Sequence, residues 1–182
     1  MALKGPLLAL ALAAVASATA SAPHRMAPRP AGDPAAWTET KWPFLMDQWG
    51  KGRAFRCGPA DCGAELNVYV RPKIGFCNCT TGVSDDAELD RVGDVELIGA
   101  KFAPLREGRP VTVGHMRGRS RLYMVQAEPR RNAIAIAFND KCDVVVATVV
   151  ADRALPPQAE ASAVAFLNGS VVMRWVEVSL GL

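Results

Sequence analysis

Five cysteines are the residues of this 182-residue chain that are best placed to do chemistry. Four of them, Cys57, Cys62, Cys77 and Cys79, follow the spacing C-x4-C-x14-C-x-C, and Cys142 comes later. Structural zinc sites usually contain two cysteine pairs, each with about two to four intervening residues. The single residue between the second pair makes it hard for both sulfurs to reach one tetrahedral ion. The spacing therefore disfavours zinc.

The same spacing favours disulfide bonds. Cys57 and Cys62 lie on the two sides of the turn-forming sequence GPAD, so a bridge between them needs little backbone movement. Cys142 opens a predicted strand and can pair with either Cys77 or Cys79, which would close a long loop. We therefore predict two bridges and one free cysteine, and the pairing stays open.

Two other interpretations of the C-x-C pair remain open. A disulfide in such a short loop would be strained and hence oxidising, which suits a thiol-redox protein, although the C-x-x-C motif at a helix start is missing. Copper(I) accepts two or three soft ligands, and the candidate copper ligands are Cys77, Cys79, His115 and Met116. The disulfide interpretation requires no metal and no cofactor.

Three alternating arginines form a candidate binding surface. If Arg117, Arg119 and Arg121 lie on one strand, their side chains project from the same face and can bind a carboxylate or phosphate through paired hydrogen bonds. The predicted partner is an anionic small molecule, a cell-envelope component or a protein, and not nucleic acid, because we expect export. The alternative is a hairpin that arginine merely keeps soluble.

The amino terminus predicts export. Lys4 precedes an apolar run over residues 7–18, and Ala18-Thr19-Ala20 offers a cleavage site, so residues 1–20 are predicted to be a signal peptide. The apolar run is shorter than the roughly 20 residues that span a bilayer, and no later segment approaches that length. We expect a secreted or periplasmic protein with no membrane span after cleavage, a disordered proline-rich leader over 21–36, and one domain over 37–182.

Most of the domain is predicted to form β-hairpins. Leu66, Val68 and Val70 alternate with polar residues, as in a half-buried strand. A second hairpin is predicted around residues 117–120, and a third, the most apolar and hence central, around 140–142. Helices are predicted over about 84–92, from about 157 to 168, and near the carboxyl terminus. The predicted fold is a single α+β domain, an antiparallel sheet of hairpins covered on one face by C-terminal helices and stapled by disulfides.

The familiar enzyme signatures do not occur. The sequence has no GxSxG, HExxH, phosphate-loop or dinucleotide motif, and His24, one of its two histidines, lies in the predicted leader. These observations favour a binding or assembly module over an enzyme. The alternative is a thiol-redox or copper-handling protein that uses Cys77 and Cys79.

Overall fold

The computed structural model describes Met1, Asp33 and residues 36–182. The predicted signal peptide and leader, residues 1–20 and 21–36, therefore lie outside the described residues except for Met1, Asp33 and Ala36.

The described residues form an antiparallel sheet of eight strands, in the order β1-β2-β3-β8-β7-β6-β4, and β5 pairs with the remaining part of β6. The most apolar hairpin, β7–β8, lies in the middle of the sheet, as predicted. The strands are β1 Trp37–Thr40, β2 Arg53–Cys57, β3 Leu66–Lys73, β4 Phe102–Pro104, β5 Arg109–Val113, β6 Met116–Val125, β7 Arg131–Asp140 and β8 Asp143–Ala151.

Among the described residues, four α-helices and a short 3₁₀ helix accompany the sheet: α1 Pro59–Cys62, α2 Asp86–Val92, the 3₁₀ helix Val95–Leu97, α3 Ala159–Leu167 and α4 Ser170–Leu180. The cap of α2 is Asp85, whose carboxylate accepts a hydrogen bond from the Glu88 amide, so the helix begins one residue later than a Ser84 cap would give. Among the described residues, no single helix is long and apolar enough to cross a membrane; α3 and α4 meet that test only as a pair bent by 62°.

The predicted turn of the second hairpin is wrong. The chain reverses at Gly114, whose φ of +59° suits a tight turn, and residues 117–120 lie inside β6. Gly118, which suggested a turn, serves close strand packing instead. A Cβ atom at this position would lie 1.9 Å from the carbonyl oxygen of Ala137 on β7. Because the turn lies before residue 116, Arg117, Arg119 and Arg121 belong to β6. Their alternation along the strand places the three side chains on one face of the sheet.

The sheet has a hydrophobic core on each face. Leu66, Val68 and Val70 of β3 belong to the core beneath α3 and α4, which confirms the predicted cover by C-terminal helices. The opposite face is also buried, beneath α2 and the 3₁₀ helix, which contribute Leu89 and Val95. Central strands are apolar on both faces for this reason. Loops at the strand ends, beside these two layers, position the candidate site.

Candidate functional site

The cysteines form two disulfide bonds. Cys57 is bonded to Cys62 beside the short α1 turn, and Cys79 is bonded to Cys142 across 63 residues of sequence. Cys77 is the free cysteine, and it is buried. The two predicted bridges are thus present, and the structure resolves the ambiguity of the C-x-C pair in favour of Cys79.

The free thiol of Cys77 lies in an environment that suppresses ionisation. Its Sγ donates a hydrogen bond to the carbonyl oxygen of Lys141 at 3.2 Å. Burial, followed by the nearby carboxylates of Glu88 and Asp143, raises the pKa of the Cys77 thiol to about 11. The thiolate is the nucleophile and the metal ligand, so little of the reactive form exists near neutral pH.

The structure does not bring the four candidate copper ligands together. Cys77 belongs to the core beneath α2, whereas Met116 belongs to the core on the other face of the sheet. His115 is exposed in the turn before β6, and Cys79 is in a disulfide bond. Within the described residues, no group of three or more histidine, cysteine, aspartate or glutamate side chains is arranged to hold a metal ion.

The loop that carries the C-x-C pair, residues 74–84, is held in place by its own polar groups. The side-chain oxygen of Asn78 accepts hydrogen bonds from the amides of Thr80 and Thr81 at 2.9 and 3.2 Å. The amide of Val83 donates to the side chain of Asn139 on β7 at 2.9 Å. Together with the Cys79–Cys142 bond, these contacts fix the loop against the β7–β8 turn.

Two of the three candidate arginines are occupied by acidic residues of α2. Arg119 donates from Nε to Asp86 and from Nη2 to the carbonyl of Gly108. Arg121 donates from Nη1 to Asp90 at 2.8 Å. A hydrogen bond from the Gly108 amide, followed by the Arg119 contact, lowers the pKa of Asp86, so this carboxylate stays charged. These pairs attach α2 to the sheet.

Arg117 differs from its two neighbours. Its side chain is exposed, and within the described residues it forms no hydrogen bond or ion pair. It borders a pocket of about 250 Å³ in which the loop 74–84 meets the arginine strand. The residues that line this pocket are Thr81, Val83, Ser84, Pro110, Arg117, Gly118, Arg119 and Asn139. The predicted loop and arginine surfaces therefore meet at one place, around Arg117.

Sequence reasoning missed two clusters of buried charge. Arg71 and Lys73 of β3 both contact Asp94, which lies directly before the 3₁₀ helix. Glu160 of α3 is buried against Arg109 and Ser120. By alternation, Arg71 and Lys73 share a face with Asn67 and Tyr69, opposite Leu66, Val68 and Val70, so the pattern predicts exposed polar residues at positions that the structure buries. Nothing in the sequence indicated their partner.

The comparisons with known proteins assign no relationship. No protein-family model matches this chain, and no curated protein is significantly similar to it.

Proposed function

We propose that this protein is an exported, disulfide-stabilised binding module that holds an anionic group in the pocket around Arg117. The observation that carries the proposal is that this exposed guanidinium, with no partner among the described residues, borders a pocket beside a pinned loop. Thr81 and Ser84 add exposed hydroxyl groups to the pocket, and Asn139, whose amide already contacts Val83 and the carbonyl oxygen of Lys141, forms part of its wall. A guanidinium beside such donors suits a carboxylate or a phosphate.

A rigid frame supports recognition at this pocket. The Cys79–Cys142 bond and the Asn78 contacts hold one wall, and the Arg119–Asp86 pair holds the other. A site whose walls are already ordered loses less conformational entropy when a ligand binds. The disulfides are also compatible with an oxidising compartment, in agreement with proposed export.

The test is a titration of the purified protein with inorganic phosphate and with citrate, followed through backbone amide resonances. We expect the resonances of Thr81, Ser84 and Asn139 to shift together, and the Arg117→Gln variant to bind at least fivefold more weakly. Arg174→Gln is the matched control, because Arg174 is exposed on α4 and lies outside the pocket. Equal loss in both variants, or no shift in the loop with either anion, would contradict the proposal.

Export has a separate test. Full-length protein expressed with its own amino terminus in a bacterial host is expected to be recovered from the periplasm with Ser21 as its first residue, both disulfides formed. Retention in the cytosol with an intact amino terminus would contradict the exported assignment without affecting the pocket.

The thiol-redox and copper alternatives lack comparable support. The loop cysteine Cys79 is already bonded, and burial holds its neighbour Cys77 largely in the thiol form. Both features fit a structural bridge beside a core residue better than a reactive pair.

A further inference from the structure

We propose that a second cleft, separate from the pocket around Arg117, binds a phosphate monoester. The cleft has a volume of about 370 Å³ and lies between the turn that joins β6 to β7 and the segment that follows β8. Three arginines line it, and two of them are adjacent in sequence. The lining residues are Pro129, Arg130, Arg131, Asn132, Asp152, Arg153 and Ala154.

The cleft carries an excess of positive charge. Three guanidinium groups and the single carboxylate of Asp152 give the lining a formal charge of +2. Within the described residues, the exposed side chains of Arg130 and Arg131 donate no hydrogen bond and form no ion pair. The carboxylate of Asp152 accepts a hydrogen bond from the amide of Glu65 at 3.2 Å. Exposed arginines next to one another without carboxylate partners are positioned to receive an anion.

Two of the arginines are attached to rigid parts of the fold. Arg131 is the first residue of β7 and pairs with Val125 of β6. Arg153 donates from Nη2 to the carbonyl oxygen of Gly63 at 3.0 Å, and Gly63 follows the disulfide-bonded Cys62. The Arg153 side chain is thus held by one N–H group while its other N–H groups remain available. Such partial ordering reduces the entropy lost on binding.

The number and kind of donors favour a phosphate monoester over a carboxylate. A phosphate monoester carries a charge of about −1.5 to −2 near neutral pH and has three terminal oxygens, which matches a +2 lining with several guanidinium groups. A carboxylate has one charge and two oxygens, which a single arginine satisfies. The volume lies within the range of roughly 300–1,000 Å³ that is usual for small-ligand pockets, so the group that carries the phosphate also has room.

The second cleft is independent of the pocket around Arg117. Arg131 lies at the start of β7 and Asn139 near its end, eight residues away. At a rise of about 3.3 Å per residue, this separation is roughly 26 Å. Substitutions in one site therefore leave the contacts of the other intact.

The experiment measures binding of the purified full chain to inorganic phosphate, to glycerol 1-phosphate and to vesicles containing phosphatidic acid. The three probes share the phosphate group and separate a free ion, a soluble ester and a lipid headgroup as its source. We expect saturable binding of glycerol 1-phosphate or of the vesicles, and at least a tenfold loss in Arg131→Gln/Arg153→Gln. The matched control Lys51→Gln/Arg174→Gln, which removes the same charge at two exposed positions outside both sites, should stay within twofold of its parent.

A second variant separates lost recognition from lost folding. Arg131→Lys/Arg153→Lys keeps the charge but removes the planar pair of donors, so we expect an intermediate loss with an unchanged unfolding midpoint. The proposal is overturned if none of the three probes binds saturably, if inorganic phosphate alone binds, or if the two double glutamine variants lose affinity equally. Every protein compared in this experiment, the parent included, also carries Arg117→Gln, so phosphate bound by the first pocket does not contribute to the result.

Discussion

Arg71 and Asp94 form a bidentate ion pair inside the protein, with Nε–Oδ2 and Nη2–Oδ1 distances of 2.6 and 2.8 Å. Both side chains are almost fully buried, and the ammonium group of Lys73 lies 2.7 Å from the same carboxylate. The remaining terminal nitrogen of Arg71 donates to Asp47, which is partly exposed. One carboxylate thus joins β3 to the segment that leads into the 3₁₀ helix.

Asp94→Ala should destabilise the protein by about 3–5 kcal/mol, because it leaves two buried cations without their shared partner. Asp47→Ala is the matched control, since it removes a more exposed carboxylate from the same guanidinium and should cost about 1 kcal/mol. Equilibrium urea unfolding measures both. Similar losses of stability in the two variants would show that the buried Arg71–Asp94 pair is not the main contact that joins β3 to the segment before the 3₁₀ helix.

The sequence predicted the strands and helices better than it predicted the contacts between their polar side chains. Apolar runs predicted the central β7–β8 hairpin, because a strand buried on both faces must be apolar throughout. Cysteine spacing likewise predicted the Cys57–Cys62 bridge, since the two residues are close along the chain. Contacts within short segments follow from local patterns of this kind.

The polar contacts depend on which residues the completed sheet brings together. Arg119 and Arg121 were predicted to bind a ligand, yet they pair with α2, which the sequence places about thirty residues earlier. On α3 the structure exposes Ala161 and Ala165, whereas it buries Glu160. A carboxylate becomes tolerable in a core only when distant donors, here Arg109 and Ser120, reach it. Contacts of this kind, between residues that are distant in sequence, are set by the tertiary structure.

The two disulfides should differ in their contribution to stability. The Cys79–Cys142 bond closes a loop with a sequence separation of 63, and the Cys57–Cys62 bond closes one with a separation of 5. In the chain-entropy model the longer loop corresponds to about 4 kcal/mol and the shorter one to about 2 kcal/mol. Urea unfolding of Cys79→Ala/Cys142→Ala and of Cys57→Ala/Cys62→Ala measures the difference. An equal or reversed order would mean that native packing, and not loop closure, dominates.

Cys77 should resist alkylation in the folded protein. Because burial and the nearby carboxylates raise its pKa from the ordinary value of 9.0 to about 11, the thiolate fraction at pH 8 is about a hundredfold lower than for an ordinary thiol, and limited access slows the reaction further. The measurement compares the rate of iodoacetamide labelling in buffer with the rate in urea, where the disulfides stay intact and the thiol is exposed. Labelling at similar rates in the two conditions would return weight to the thiol-redox alternative.

Glu160 should make the stability of the protein depend on pH on the acid side. Burial by itself would raise the pKa of Glu160, but hydrogen bonds from Arg109 and Ser120, with the charges of Arg109 and Arg106, outweigh burial and lower it. A carboxyl group with a lowered folded pKa stabilises the protein above its ordinary pKa, near 4.5, and this contribution is lost as the pH falls further.

Glu160→Gln should therefore be less stable than the parent at pH 7, because Arg106 and Arg109 lose the carboxylate that pairs with both. The difference between the two proteins should shrink as the pH falls from about 4.5 towards 3, where the parent also loses the charge. The midpoints of urea unfolding across this pH range measure the difference in stability. The control is Glu107→Gln, at an exposed position in the same region, which should have the same midpoint as the parent at every pH. A constant difference for Glu160→Gln would indicate that the carboxylate contributes through packing and not through its charge.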